Sequence, residues 1–93
     1  MQISRDILYL EKLQKLMKFI AEDSLQQALK FQIDLDEKIE DLENMPYKFR
    51  KSFYFDDENI RDLIFKGYAI PYKIDKIQNT ITIIGINKYQ SNL

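Results

Sequence analysis

The 93-residue sequence contains no cysteine, no histidine and no tryptophan, and it has only two glycines and two prolines. Without cysteine there are no disulfides, no thiolate nucleophiles and no cysteine-bound zinc. Without histidine the chain lacks the usual base of a hydrolytic triad and the commonest metal ligand. We therefore expect neither a cofactor nor a metal site.

Long apolar runs are also missing. No stretch approaches the ~18 apolar residues that cross a bilayer, and residues 1–6 lack the apolar core and cleavage site of a signal peptide. Hydrophobic residues nevertheless make up 45% of the chain and the formal net charge is only -1, which argues against disorder. We expect one cytoplasmic domain spanning residues 1–93, without contact to a membrane.

Charge is balanced over the whole chain but not along it. Residues 1–45 carry six basic and ten acidic side chains, whereas residues 46–93 carry eight and five. The near-neutral total argues against a general nucleic-acid binder, because such domains are usually strongly basic. The basic second half could still face a phosphate backbone, although ordinary solvated charge also explains the pattern.

Hydrophobic spacing predicts two helices in the first half of the chain. Apolar residues recur every three or four positions over residues 5–22 and again over residues 24–44. Ser4 is the expected N-cap of the first helix, and Ser24 followed by Gln27 has the form of a capping box. The predicted buried stripe of the first helix consists of Ile7, Leu10, Leu13, Met17 and Ile20.

Beyond Pro46 the hydrophobic period falls from about 3.6 residues to two, which predicts strands. The alternating segments are residues 49–55, 60–65, 68–74 and 80–86. Pro71 lies inside the third segment and should occupy a sheet edge or a bulge, because proline donates no ladder hydrogen bond. A short edge strand could also form at residues 2–4, while residues 87–93 have the composition of a polar tail.

The order of these segments favours an α+β fold. We predict the arrangement β-α-α-β-β-β, in which an antiparallel helical hairpin packs on one face of a small antiparallel sheet. The hairpin follows from the very short connection between the two helices. The opposite face of the sheet would then be left to solvent or to a partner.

The order and spacing of these motifs resemble the RelE/ParE superfamily, the toxins of type II toxin–antitoxin systems, and are closer to ParE. The resemblance covers nearly the whole chain. It rests on the helical hairpin, on Leu42 followed by Pro46 and Arg50, on Ile60-Arg61-Asp62-Leu63, on Tyr68-Ala69-Ile70-Pro71-Tyr72-Lys73-Ile74 and on Ile81-Thr82-Ile83-Ile84-Gly85-Ile86. The segment 68–74 resembles the family signature of tyrosine, arginine, an aliphatic residue, any residue and tyrosine.

The resemblance implies a toxin that a cognate antitoxin neutralises by wrapping an extended segment around it. One branch of the superfamily cuts messenger RNA on the ribosome, and the ParE branch poisons DNA gyrase. The ribonucleases carry arginine inside the signature, where this chain has Ala69. This departure favours a ParE-like toxin that arrests growth by binding a macromolecular target, with DNA gyrase as the candidate, and without bond-breaking chemistry.

The alternatives are a ribosome-dependent mRNA endoribonuclease and a non-toxic interaction module of the same fold. RNA cleavage through the 2′-hydroxyl needs a proton acceptor, cations that stabilise the phosphorane charge, and an acid for the leaving group. Under the nuclease alternative the candidate catalytic residues are Arg61, Tyr89 and Lys88. The residues that could contact the target or a nucleic acid are Lys48, Arg50, Lys51 and Arg61.

Structural roles compete with these functional ones. Arg61 could instead pair with an acidic side chain of the helical hairpin, and the basic residues 48–51 could protect a sheet edge from unwanted strand pairing. Antitoxin binding, which the resemblance implies, would use an exposed sheet edge or an apolar groove beside the hairpin, since these accept a strand or a helix.

Overall fold

The computed structural model describes residues 1–89. The elements in chain order are β1 (Gln2–Arg5), α1 (Ile7–Asp23), α2 (Leu25–Glu40), a 3-10 turn (Asp41–Glu43), β2 (Ile60–Phe65), β3 (Tyr68–Asp75), β4 (Thr80–Ile83) and β5 (Asn87–Lys88). The predicted order β-α-α-β-β-β is therefore confirmed, with β5 as an additional short strand. Part of the predicted polar tail, residues 90–93, lies outside the described residues.

The strands form a mixed sheet in the order β1-β4-β3-β2, with β5 also paired to β3. The partners of β3 are all antiparallel to it, but β1 runs parallel to β4, with Ile3 opposite Ile81. A parallel pair needs a long connection between its strands. Here the helical hairpin, β2 and β3 all separate β1 from β4, so the edge strand could not be assigned an orientation from local spacing.

Side-chain caps fix where both helices begin. The cap of α1 is Asp6, whose carboxylate accepts the Ile7 backbone N–H at 2.9 Å. The prediction of Ser4 was wrong because Ser4 lies within β1, where pairing with β4 holds it extended. The predicted cap of α2 is confirmed: Ser24 Oγ accepts the Gln27 backbone N–H at 3.1 Å. Within residues 1–89, neither helix has the length and apolar character needed to cross a bilayer.

The core lies between the helical hairpin and one face of the sheet. From α1 it buries Tyr9 and Leu13, whereas Ile7 and Leu10 of the predicted stripe are exposed. Because α1 carries apolar residues around much of its circumference, their spacing alone could not identify the buried side. The other fully buried core residues include Leu35 and Ile39 of α2 and Leu63, Ile70, Tyr72, Ile74, Ile81 and Ile83 of the sheet.

Pro71 lies in the interior strand β3, where pairing passes from β4 to β5. Residues 84–86 leave the ladder at this point, since proline has no N–H to offer. Instead, the Pro71 carbonyl accepts the Ile84 N–H at 3.0 Å, and a Cβ on Gly85 would lie 3.5 Å from the proline ring. Of the two predicted alternatives, an edge or a bulge, the structure shows the bulge, which divides the predicted strand 80–86 into β4 and the residues that lead to β5.

Residues 44–59, here called the connecting segment, do not contain the strand predicted at 49–55. The structure shows one isolated antiparallel bridge there, between Lys51 and Arg61. Beside it, the Ser52 N–H donates to the carbonyl oxygen of Ile60 at 2.7 Å, which holds the segment against the edge of β2.

Local hydrogen bonds explain why the predicted strand does not continue. The Tyr54 N–H donates to Ser52 Oγ at 3.1 Å, and the Phe53 N–H donates to Asp62 Oδ2 at 3.3 Å. Such bonds from backbone to side chain compete with a sheet ladder. The alternation of aromatic residues therefore indicated a strand that the tertiary structure does not form.

The face of the sheet opposite the helices, here called the far face, is partly covered rather than open as predicted. Asp62 stands opposite Pro71 and Ile64 stands opposite Ala69, so all four side chains belong to this face. Asp62, Ala69 and Pro71 are nevertheless buried. The connecting segment reaches the far face at Asp62, and residues 84–86 reach it at Pro71.

Tyr9 is a buried residue whose hydroxyl has no hydrogen-bond partner within residues 1–89. Burial, reinforced by the negative charge of Asp36, raises the pKa of Tyr9 to about 12. The folded state thus holds this proton more tightly than the unfolded chain does. The free energy of unfolding should consequently fall, by up to about 2 kcal/mol, as the pH rises from about 10 towards 12.

We expect Tyr9→Phe to leave the free energy of unfolding at pH 7 unchanged or to raise it by about 1 kcal/mol, because an unpaired buried hydroxyl is removed. The variant should also lose less stability at alkaline pH. Urea denaturation of the wild type and the variant at pH 7 and pH 11 measures both free energies of unfolding. The other tyrosines are common to both proteins, so the difference in their pH dependence reports on Tyr9 alone. A variant that is clearly less stable at pH 7 would contradict the assignment.

Candidate functional site

Arg50 and Tyr89, both predicted site residues, meet at the surface together with Phe53; these three residues are here called the Arg50 cluster. Arg50 Nη2 donates to Tyr89 Oη at 3.3 Å. The guanidinium carbon lies 3.7 Å from the centre of the Phe53 ring and 5.7 Å from that of Tyr89. Both distances are within the range of a cation–π interaction. Tyr89 is positioned by its N–H, which donates to the Gly67 carbonyl at 2.8 Å.

Arg61 is engaged with the connecting segment. Its Nε donates to the carbonyl oxygen of Glu58 at 3.0 Å, and its Nη1 donates to the carbonyl oxygen of Phe49 at 3.1 Å. Its Nη2 lies 3.7 Å from the Glu58 carboxylate, and its guanidinium lies 4.9 Å from the centre of the Tyr47 ring. Arg61 therefore anchors two parts of the segment, and its acidic partner is Glu58 rather than a residue of the hairpin.

The three candidate lysines have different surroundings. Lys51 Nζ lies 3.0 Å from Asp56 Oδ1, and this hydrogen bond raises the pKa of Lys51. Lys48 is exposed and lies over the Phe49 ring. Lys88 stands in β5 opposite Tyr68. Among the described residues, the only side-chain hydrogen bond between two of the six candidates is the one from Arg50 to Tyr89.

Position 69 lies inside the sheet. The side chain of Ala69 is 0% exposed and stands opposite Ile64 of β2 and Asn87 of β5. Position 69, where the resemblance places arginine in the ribonucleases of the superfamily, therefore offers no cation in this protein. Arg50 supplies a guanidinium from a different part of the chain, the connecting segment.

Sequence reasoning missed two residues that position the connecting segment. The Tyr72 hydroxyl donates to the carbonyl oxygen of Pro46 at 2.6 Å, and burial raises the pKa of Tyr72. On the far face, Asp62 Oδ2 accepts the Phe53 N–H. One signal was available for Asp62, because an aspartate at an interior position of a predicted strand must find a partner if it is buried.

The chemical capacity of the Arg50 cluster is limited to one cation and one phenol. Cleavage of RNA requires a proton acceptor, several cations and an acid. The Arg50 guanidinium lies against the Phe53 ring, but Arg50 remains exposed. Residues 1–89 contain no group of three or more histidine, cysteine or acidic residues placed to hold a metal ion. The Arg50 cluster therefore presents an exposed cation beside a phenol.

Comparison with known proteins identifies the family. The family model described as the ParE toxin of the type II toxin–antitoxin system parDE matches residues 8–92. The comparison with curated proteins gives no match.

Two solved structures show the same fold. The structure of the chromosomal ParDE toxin–antitoxin system from P. aeruginosa has a TM-score of 0.76 and 15% identity, and the match covers 97% of this chain and 97% of that chain. The isolated E. coli RelE toxin has a TM-score of 0.64 and 15% identity, with 98% of this chain and 86% of that chain covered. These likenesses confirm the fold, and the family model extends over most of the sequence. The chain therefore belongs to the ParE toxin family of type II toxin–antitoxin systems.

Proposed function

We propose that this chain arrests growth by binding a macromolecular target in the cytoplasm and that a cognate antitoxin neutralises it. The family match over residues 8–92 carries the proposal. DNA gyrase is the target to be tested first, because the sequence motifs resemble the ParE branch rather than the ribonucleases.

Three features of the site support binding without catalysis. Ala69 occupies the signature position and is buried, so no arginine is presented there. The Nε and Nη1 groups of Arg61 donate to backbone carbonyls of the connecting segment. Lys51 is paired with Asp56. Two of the cations that could stabilise a phosphorane, Arg61 and Lys51, are thus already engaged within the fold.

Two surfaces suit an antitoxin. The outer edge of β1 has no strand partner within residues 1–89, so an extended segment could add to the sheet there. On α2, Leu25, Leu29 and Ile33 are exposed at intervals of four residues and form an apolar stripe that an amphipathic helix could cover.

A ribosome-dependent endoribonuclease is the second candidate function, and one observation favours it. The contact between Arg50 and Tyr89 places a cation beside a phenol near the C-terminal end of the chain. The likeness to the E. coli RelE toxin is compatible with either function, because at 15% identity it shows only that the fold is shared.

Two parallel assays separate these functions. In the first, purified DNA gyrase supercoils relaxed plasmid with and without the protein. In the second, messenger RNA is followed in a translation extract. We expect loss of supercoiling and intact messenger RNA, and we expect the small protein encoded beside this chain to co-purify with it and restore supercoiling.

The opposite result, cleaved messenger RNA with normal supercoiling, would establish the nuclease. In that case Tyr89→Phe should abolish cleavage, while Lys73→Gln, which removes an exposed cation from β3, should not. A protein that affects neither assay and binds no neighbour-encoded partner would be a non-toxic interaction module.

A further inference from the structure

The connecting segment forms an open pocket that the proposed function does not use, here called the aromatic pocket. It has a volume of about 530 Å³ and is lined by Lys51, Ser52, Phe53, Tyr54, Phe55 and Asp56. The side chains of Phe53, Tyr54 and Phe55 are 71%, 49% and 40% exposed. Three consecutive aromatic residues that remain in contact with solvent indicate a surface that another molecule covers.

A buried carboxylate is hydrogen-bonded to the wall of this pocket. Asp62 is 1% exposed, and its Oδ2 accepts the backbone N–H of Phe53, a residue of the pocket wall, at 3.3 Å. Its Oδ1 has no hydrogen-bond partner among residues 1–89. Burying a carboxylate costs free energy unless a hydrogen-bond donor or a cation compensates for it. A donor that reached Oδ1 would therefore stabilise the buried carboxylate.

The neighbouring cations of the chain are committed to other groups. Lys51 pairs with Asp56, Arg61 binds Glu58 and a backbone carbonyl, and Arg50 stacks on Phe53. None of the ion pairs within residues 1–89 includes Asp62. Residues 50–62 contain four acidic and three basic side chains, so this stretch carries a net charge of -1.

The aromatic rings add a second reason to expect a cation. Phe53 already accepts the guanidinium of Arg50 on its ring at 3.7 Å, which shows the geometry that such a group takes here. Tyr54 and Phe55 are exposed beside it. Aromatic faces combined with a carboxylate favour guanidinium and ammonium groups over neutral or anionic ligands.

We propose that the aromatic pocket binds a cationic side chain, arginine or lysine, presented by a partner protein. The aromatic rings cover the stem and the charge of this side chain, and Asp62 Oδ1 accepts a hydrogen bond from its nitrogen. Entry requires the Phe53 N–H to move away from Asp62 Oδ2, and this hydrogen bond, at 3.3 Å, is longer than the ~2.7–3.2 Å usual for N–H···O bonds. This inference does not depend on the proposed toxic activity.

Nuclear magnetic resonance titration of the full chain tests this binding site. The probes are the acetylated methylamides of arginine and lysine, and the control probe is that of citrulline, which has nearly the shape of arginine without its charge. We expect saturable shifts of the backbone amides of residues 51–56 and 62 with the cationic probes, and none with citrulline. Equal shifts with citrulline, or no saturable shift up to about 10 mM probe, would overturn the proposal.

Two variants identify the groups that bind the cation. Asp62→Asn should weaken binding at least about tenfold, while Asp23→Asn, which makes the same charge change at the exposed end of α1, should leave it within about twofold. Tyr54→Leu alters only an exposed side chain, so it tests the aromatic wall even if Asp62→Asn does not fold; we expect about threefold weaker binding. Affinity unchanged in Tyr54→Leu and in a folded Asp62→Asn would refute the proposal.

Discussion

Replacing Ala69 by arginine is expected to lower the free energy of unfolding by at least about 3 kcal/mol without creating RNA cleavage. The alanine is fully buried on the far face between Ile64 and Asn87. An arginine there must either carry its charge into this interior or push the covering residues away, and both outcomes cost free energy. The signature residue of the ribonucleases therefore does not fit this protein as it is folded.

Urea denaturation followed by circular dichroism measures this effect, and a translation extract measures cleavage. Ala69→Ser is the matched control, since it adds one polar atom at the same position and should cost no more than about 1–2 kcal/mol. If Ala69→Arg kept the wild-type midpoint, the far face would be able to open. If it also cut messenger RNA, the chain would be a ribonuclease that has lost its signature residue.

Tyr72→Ala in β3 is expected to lower the free energy of unfolding by about 4 kcal/mol and to release the connecting segment. The ring of Tyr72 is fully buried in the core, and its hydroxyl donates to the Pro46 carbonyl at 2.6 Å. Removing both leaves a large cavity and frees the beginning of the segment that carries Arg50 and Phe53.

Tyr72→Phe separates the two contributions. It keeps the ring and removes only the hydrogen bond, so we expect a cost of about 1–2 kcal/mol. Denaturation of both variants gives the two energies, and the intensity of the Phe53 and Tyr54 amide signals reports whether the segment has become mobile. A phenylalanine variant as stable as the wild type would mean that the hydroxyl does not hold Pro46.

The candidate site was only partly predictable from the sequence. Arg50 and Tyr89 were both named, but their contact joins residues 39 positions apart and depends on Tyr89 N–H binding the Gly67 carbonyl. Arg61 was also named, but no pattern in the sequence predicts its hydrogen bonds to two backbone carbonyls. Residue type reveals which chemistry a side chain can perform, whereas its partners are chosen when distant segments pack.

The failed strand at residues 49–55 shows the same limit within secondary structure. Aromatic and polar residues alternate there as in a strand. A strand also needs a neighbour along its length, and the backbone of Phe53 and Tyr54 binds Asp62 and Ser52 side chains instead. The alternation of residue types reports a local preference for extended backbone. Whether a strand pairs depends on contacts with residues that are distant in the sequence.

The sequence by itself determined the two helices, the cap at Ser24, the bulge at Pro71 and the α+β order, because helix periodicity, capping and the missing proline N–H act within a few residues. Only the tertiary structure decided that β1 pairs in parallel with β4, that Ala69 is buried, and that the carboxylate of Asp62 binds the backbone N–H of Phe53. These features join segments that are distant along the chain, and their free energy arises only when those segments are packed together.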